Sequence, residues 1–207
     1  LKPEDFKSQQ DLVKLPVLTR KDIQLNFEDL RSRAFSKGQL RLGHTSGTTG
    51  SPLEVYYDAR VIHITYALMD RQYRWADANL WRSGDRIAVL RGNVIVPVSR
   101  RRPPFWRHNY YHNQLLLSSF HLSQENLPIY LRELQRFAPV VIDGYPSTVY
   151  LLARYLLSIG QTFPVKAVIT GSETLFDFQR AAIEKAFDCR IFDYFAAAER
   201  VLFATEC

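Results

Sequence analysis

A regular alternation of short apolar runs and helix-length segments in the second half of the chain restricts its fold more than any other sequence feature. The apolar runs, each four to six residues long, lie at 86–91, 115–120, 140–143, 165–170 and 190–194. The helix-length segments lie at 123–137, 146–160 and 176–187. Strands that alternate with helices of this length are typical of βαβ units, whose strands are parallel. The sequence therefore predicts an α/β fold with mostly parallel sheets and flanking helices.

The first half of the chain carries weaker signals. Thr19 is the predicted N-cap of a helix over 21–30. An apolar alternation at 53–57 predicts a strand, and spacings of three and four between apolar residues predict a helix over 59–80. Residues 92–114, rich in arginine, proline and aromatic residues, are predicted to form a long irregular loop.

Three of the predicted loops follow strands directly. In open parallel sheets, ligands bind beyond the carboxyl ends of the strands. The loops at 144–146, 171–173 and 194–199 are therefore expected to lie close together and to form a binding site.

The net charge of +6 leaves a nucleic acid or a small anionic ligand open as a partner. Residues 100–102 and Arg107 form the densest basic cluster, which is interleaved with aromatic residues as in nucleic-acid-binding surfaces. A solvated loop with some aromatic packing has the same composition. This second interpretation is favoured, so a nucleic-acid partner is not expected.

Several absences bear on the compartment. No stretch reaches the roughly 18 apolar residues of a membrane span, and the N-terminus lacks the apolar run of a secretory signal. Cys189 and Cys207 are the only cysteines, so a disulfide framework is not available. These features favour a reducing, cytoplasmic location.

A glycine- and hydroxyl-rich stretch is the first candidate site. It reads Thr45, Ser46, Gly47, Thr48, Thr49, Gly50, Ser51, Pro52. Glycine permits close approach of a ligand, and hydroxyl and backbone N–H groups can surround phosphate oxygens. The Gly-Lys-Ser/Thr ending of the nucleotide-kinase P-loop is missing. From composition alone, a polar surface turn is an equally good interpretation.

Two further candidate segments each follow a predicted strand. Gly171 would let a flat base lie against the backbone, although Ser172 or Glu173 could simply cap the next helix. In the stretch 193–199, Glu199 offers the hard oxygen ligand that Mg²⁺ prefers, although it could also be a surface glutamate.

These three segments, in this order, resemble those of the adenylate-forming (AMP-binding) superfamily, the acyl-CoA synthetases and their relatives. The literal string at 45–52 resembles the phosphate loop of that superfamily. The flanking sequence is similar to the phenylacetate–CoA ligase-like branch, which includes relatives named after capsule biosynthesis. The resemblance covers nearly the whole chain, including 15–19, 118–122 and 144–153.

The resemblance implies an ATP- and Mg²⁺-dependent ligase that converts a carboxylic acid into an acyl-adenylate and passes it to a thiol, usually coenzyme A. It assigns Glu199 to Mg²⁺, and Glu199, Thr45 and Thr48 to catalysis. The segment 45–50 would contact the β- and γ-phosphates. The implied adenine contacts are Gly171, Ser172, Glu173 and the ring of Phe195 or Tyr194.

Two departures from the family pattern favour an alternative. Ser51 stands where many relatives carry lysine, and Ala196 stands where the family has glycine. If that glycine uses a positive φ or allows close approach of a ligand, alanine strains or narrows the site. The alternative is a non-catalytic relative with a decayed site that binds a nucleotide or a partner.

The remaining candidates are histidines and a tyrosine. His121 and Tyr145 could line the acyl pocket, and Tyr145 could instead mark the start of a helix. His108 and His112 have a spacing that suits metal ligands on a helix, but they lie in the predicted loop and are interpreted as surface residues.

Residues 1–207 are expected to be an incomplete AMP-binding domain, because both ends of the sequence look like truncations. The resemblance implies that a ribose-binding aspartate, a hinge and a small C-terminal domain with a catalytic lysine lie beyond the point matching Cys207. Such a fragment is expected to be a poor catalyst alone. The identity of the acid and the oligomeric state stay open.

Overall fold

The computed structural model describes residues 2–45, 53–79 and 85–207. The chain forms two compact units, Leu1–Ala59 and Arg60–Cys207. The phosphate-loop residues Ser46 to Pro52, among them the departure at Ser51, lie outside the described residues.

The first unit contains one short helix, α1 (Arg20–Leu25), and an antiparallel hairpin of β1 (Leu40–His44) and β2 (Glu54–Asp58). Thr19 caps α1 as predicted: its hydroxyl accepts from the Asp22 N–H, and the Asp22 carboxylate accepts from the Thr19 N–H. The helix is shorter than predicted. The Asn26 side chain donates to the Asp22 carbonyl at the end of α1, and turns follow.

The second unit begins with a long helix and continues as alternating strands and helices. Its elements are α2 (Ala59–Trp75), β3 (Ile87–Leu90), β4 (Trp106–Asn109), β5 (Gln114–Leu117), α3 (Leu127–Phe137), β6 (Val141–Gly144), α4 (Pro146–Ser158), β7 (Ala167–Gly171), α5 (Asp177–Phe187), β8 (Arg190–Ala196) and β9 (Phe203–Thr205).

The strands of this unit form a seven-stranded sheet in the order β4-β5-β3-β6-β7-β8-β9. The five inner strands are parallel, and β4 and β9 add antiparallel edges. The predicted α/β class with a mostly parallel sheet is confirmed.

Both faces of the sheet are covered. Successive residues of a strand point to opposite faces, so a strand whose residues are all buried is covered on both sides. Every residue of β6 and β7 is buried. Ile142 and Val168 join one apolar cluster, while Val141 and Ile169 join another that contains Tyr73 of α2. Helices α3, α4 and α5 fill the first cluster with Leu134, Leu152 and Phe187.

The three largest boundary errors in the second unit each have a local reason. The predicted loop 92–114 contains β4, whose middle residues are exposed, so no apolar run marks it. Helix α3 starts at Leu127 rather than at residue 123, because Pro128 has no N–H to donate to the preceding turn and suits the first turn of a helix. Helix α2 ends at Trp75, and Asp77 has a positive φ. None of the helices in the described ranges is long and apolar enough to cross a membrane.

The C-cap of α3 offers a test of backbone strain. Ala138 adopts a left-handed conformation with φ 49° and ψ 64°, which glycine tolerates better than alanine. We expect Ala138→Gly to raise the free energy of unfolding, measured in urea, by about 0.5–1 kcal/mol. The control is Ala181→Gly inside α5, which is expected to lower it by about 1 kcal/mol. A loss of stability in both variants would contradict the expectation.

Candidate functional site

The carboxyl ends of β6, β7 and β8 lie side by side in the sheet. The register pairs Gly144 with Thr170, and Gly171 with Tyr194. The Glu173 carboxylate accepts a hydrogen bond of 3.2 Å from the Ser147 N–H at the start of α4, which links two of the loops directly. The three predicted loops therefore begin at one edge of the sheet, as the sequence predicts.

Gly171 is required by the side chain that covers it. A Cβ atom at this position would lie 2.5 Å from two ring atoms of Tyr194. The next residue, Ser172, has a φ of 68°, a conformation that is rare for residues other than glycine. Close approach and backbone strain of this kind are frequent at ligand-binding sites.

Adding a methyl group at Gly171 should therefore be costly. Gly171→Ala is expected to lower the free energy of unfolding by about 1–3 kcal/mol, because the Tyr194 ring is held on its other sides by Arg91 and Phe203. Gly38→Ala is the matched control, since nothing lies within 4 Å of a Cβ there. It is expected to change stability by no more than about 1 kcal/mol. Equal urea midpoints for the two variants would show that the ring can move aside.

The two aromatic residues at the end of β8 have different surroundings. Tyr194 packs inward, stacks on Phe203 with 5.1 Å between ring centroids, and lies against Gly171. Phe195, the next residue, points to the opposite face and is 67% exposed. Of the two rings named as adenine contacts, Phe195 is the one available to a ligand, and Tyr194 supports the loop.

Ala196 and Glu199 follow on the same strand and turn. Ala196 ends β8 opposite Phe203 and is not among the residues with a positive φ, so the backbone strain suggested for it is not found. Glu199 is exposed, and its carboxylate makes no hydrogen bond or ion pair with any residue that the structure describes. Its contact with a metal ion stays a prediction.

A buried polar network at this edge was not predicted. Arg91, directly after β3, donates to both oxygens of Asp143 at the end of β6, over 2.9 Å and 2.8 Å. The Tyr73 hydroxyl on α2 donates to the same carboxylate over 2.7 Å. The Arg91 guanidinium also lies 5.6 Å from the ring centroid of Tyr194. The sequence offered one signal for this network: each of two otherwise apolar predicted strands ends with a charged residue.

The network holds its charges firmly in place. Burial opposes the charge of Arg91, but the Asp143 carboxylate outweighs that effect, so the pKa of the guanidinium is raised. Burial, with Asp143 adding to it, raises the pKa of Tyr73 well above its usual value. Burial also raises the pKa of Tyr194, and the opposing effect of Arg91 is smaller. At neutral pH the guanidinium is therefore charged and the two phenols beside it are neutral.

The two predicted acyl-pocket residues follow β5 and β6, which both neighbour β3 in the sheet. His121 is buried, stacks on Phe105 at 4.7 Å and has Nδ1 at 2.8 Å from the Ser118 hydroxyl. Its Nε2 is buried without a partner among the described residues. Tyr145 is the N-cap of α4, as the structural interpretation predicts, and its ring lies against Gly92. Their contact with an acid stays a prediction.

The start of the predicted phosphate loop is held by the hairpin of the first unit. The Thr45 N–H donates to the Leu53 carbonyl, and the Thr45 hydroxyl accepts from the Leu53 N–H, both over 2.9 Å. The hydroxyl proton of Thr45 is not used in these bonds. The same unit has a cavity of about 410 Å³ lined by Ile23, Gln24, Phe27, His44, Leu53 and Glu54.

The other candidates have structural surroundings. His108 lies in β4 with Nε2 at 3.2 Å from the Glu133 carboxylate, and His112 lies in the turn that follows. Within 2–45, 53–79 and 85–207, no group of three or more His, Cys, Asp or Glu residues could hold a metal ion. Burial raises the pKa of Cys189 to about 12, which removes it as a thiolate nucleophile.

Comparison with known proteins gives one relative in sequence and several in structure. The chain is 34% identical over 194 residues to the protein CapK of Staphylococcus aureus, covering 93% of this chain and 42% of CapK. It also resembles 2-hydroxyisobutyryl-CoA ligase. The complex of that enzyme with 2-HIB-AMP and CoA in its thioesterification state matches with a TM-score of 0.59 and 16% identity, covering 96% of this chain and 43% of the ligase.

A second structure of the same ligase, in the postadenylation state, matches with a TM-score of 0.58 and 13% identity over 100% of this chain and 44% of the ligase. No family model matches the sequence. The chain thus spans less than half the length of the relatives it matches.

Proposed function

We propose that the protein containing this chain is an acid–thiol ligase. The premise is that the chain belongs by fold to the adenylate-forming superfamily and is a sequence relative of CapK. The proposed reaction activates a carboxylic acid with ATP and Mg²⁺ to an acyl-adenylate, and then transfers the acyl group to a thiol, coenzyme A being the proposed acceptor. The chain is part of the large domain in this proposal, and the small catalytic-lysine domain belongs to the rest of the protein.

One observation carries the proposal. The loops after β6, β7 and β8 meet at the carboxyl edge of a parallel sheet, where α/β folds bind their ligands. At that edge the Tyr194 ring packs on Gly171, Phe195 exposes an aromatic ring, and the Glu199 carboxylate has no partner among the described residues. This combination fits a purine base and a metal-bound polyphosphate.

The residues present also fit the proposed metal. Mg²⁺ is usually held by one or two carboxylates together with substrate phosphates, so Glu199 alone can supply the protein ligand. When bound, Mg²⁺ would neutralise negative charge on the phosphates. On this assignment Phe195 orients the adenine.

The chemistry needs two negatively charged reactants to meet. A carboxylate oxygen of the acid attacks the α-phosphorus of ATP, the bond to pyrophosphate breaks, and the acyl-adenylate forms. The thiol sulfur then attacks the acyl carbon, and AMP leaves. The residues of this edge contribute by positioning the nucleotide, which is a main source of catalysis for such transfers.

The test is ATP–pyrophosphate exchange by the complete protein, measured over aryl, fatty and sugar-linked acids. Incorporation of labelled pyrophosphate into ATP that depends on one class of acid is the expected result. Exchange that stays at background with every acid, in protein that still binds ATP, would instead support the non-catalytic alternative.

The Ala196→Gly variant tests the decayed-site alternative directly. Because Ala196 lies in a strand without a positive φ, restoring glycine should change the rate of pyrophosphate exchange by no more than about twofold. The measurement is the exchange rate of both proteins at saturating ATP. A large gain of activity in the variant would mean that alanine narrows the nucleotide site and that the natural protein is impaired.

A further inference from the structure

We propose that Arg91 and Asp143 are positioning residues for the nucleotide, acting through Tyr194 on the segment Gly171–Ser172. This inference rests on the proposed function, because it takes that segment to be the adenine site. Neither Arg91 nor Asp143 need touch the substrate.

The first link is the fixed position of Arg91. Both oxygens of Asp143 accept from its guanidinium, and the Tyr73 hydroxyl occupies the same carboxylate from α2. The side chain of Asp143 is 5% exposed and that of Arg91 is 25% exposed. A bidentate ion pair of this kind restricts the orientation of the guanidinium plane far more than a single hydrogen bond does. The ends of β3 and β6 are thereby fixed to each other and to α2.

The second link joins Arg91 to Tyr194. The guanidinium lies 5.6 Å from the ring centroid of Tyr194, and Phe203 of β9 stacks on that ring with an angle of 15° between the planes. A cation over an aromatic ring attracts it, more strongly when both are sheltered from water. The ring therefore has an attractive contact with Arg91 and a stacking contact with Phe203, and its third neighbour is Gly171.

The third link joins Tyr194 to the loop. Its ring occupies the space that a Cβ at Gly171 would need. The Ser172 side chain acts on its hydroxyl, because it partly opposes the burial that raises the pKa of Tyr194. Ser172 has a φ of 68°, which a serine keeps only when its surroundings impose it. Two contacts act on this segment: the Tyr194 ring on Gly171, and the Ser147 N–H on the Glu173 carboxylate. The charge pair thus acts on the backbone shape of the segment through one of them, the Tyr194 ring.

The first experiment needs no nucleotide. In a crystal structure of the complete protein carrying Arg91→Gln, we expect the Tyr194 ring to leave Gly171 and Ser172 to relax to a negative φ. A structure in which the ring and φ stay as they are overturns the inference. Because this result does not depend on activity, it decides the inference even if the wild-type protein proves not to activate any acid.

The second experiment separates positioning from general destabilisation. Arg91→Gln is expected to raise the KM for ATP about tenfold while the KM for the acid changes by less than about twofold. Arg91→Lys, which keeps the charge but loses the fork, should give an intermediate value. A merely structural role would lower kcat through loss of folded protein and leave both KM values unchanged, and that outcome overturns the inference.

Two further variants serve as a control and as a replacement for Arg91→Gln. Arg74→Gln removes an exposed arginine that pairs with Asp70 at 2.7 Å on α2, and the KM of this variant for ATP should equal that of the wild type. If Arg91→Gln does not fold, Tyr194→Phe replaces it, since it removes only the hydroxyl that meets Ser172. We expect Tyr194→Phe to raise the KM for ATP about threefold, and an unchanged value contradicts the third link.

Discussion

Replacing Asp143 by alanine is expected to lower the free energy of unfolding by about 3–5 kcal/mol, the largest stability effect expected of any single substitution at this edge. Asp143 is almost fully buried and is the only described partner that neutralises the Arg91 charge. Its removal leaves a guanidinium that is three-quarters buried and a buried Tyr73 hydroxyl without their shared acceptor. Both groups would then have lost water on folding without gaining a partner.

Urea denaturation followed by circular dichroism measures this effect. Asp70→Ala is the matched control, because Asp70 also pairs with an arginine at 2.7 Å, but that arginine, Arg74 of α2, is 59% exposed. It should cost no more than about 1 kcal/mol. If the two variants lose similar stability, water reaches Arg91 easily and the network contributes little.

Replacing Glu199 by glutamine is expected to lower the rate of acid-dependent pyrophosphate exchange by at least about a hundredfold. Glutamine has nearly the same shape as glutamate but lacks the negative charge that the proposed magnesium site needs. Since the Glu199 carboxylate is exposed and has no partner among the described residues, its loss should leave the stability of the fold unchanged. A large loss of activity without a loss of stability is the signature of a group that acts on the ligand.

The experiment compares exchange rates over a series of Mg²⁺ concentrations. Raised Mg²⁺ should restore part of the activity of Glu199→Gln, because weaker binding of the ion is the proposed defect. Glu125→Gln, at an equally exposed glutamate, should behave as the wild type does. Near-normal exchange by Glu199→Gln at every Mg²⁺ concentration would remove Glu199 from the magnesium site.

The elements predicted correctly are those with a strong local signal. Strands β3, β6 and β7 coincide with short, mainly apolar runs, because a strand covered on both faces has no solvent-facing side that needs polar residues. Helix α4 has proline at its first position and Gly160 with a φ of 67° just after its end, so both ends are marked in the sequence. By contrast, β4 is an edge strand with exposed residues, so its sequence has no apolar run. It forms a strand because it pairs with β5.

Some features of the candidate site could likewise be predicted from the sequence, and others could not. Parallel strands in a βαβ arrangement bring their carboxyl ends to one edge, so the meeting of the loops at 144–146, 171–173 and 194–199 could be predicted. The difference between Tyr194 and Phe195 could not, because adjacent residues of one strand are equivalent in sequence until the faces of the sheet are known.

The sequence by itself determined the α/β class, the order of the strands along the chain and the segments that reach the carboxyl edge of the sheet. These follow from local physics: apolar periodicity, capping residues and turn residues act over a few positions. Only the tertiary structure decided that Arg91, Asp143, Tyr73 and Tyr194 form one network. These residues are up to about 120 positions apart, and a contact between them exists only once the sheet has aligned β3, β6 and β8 and α2 has packed against it.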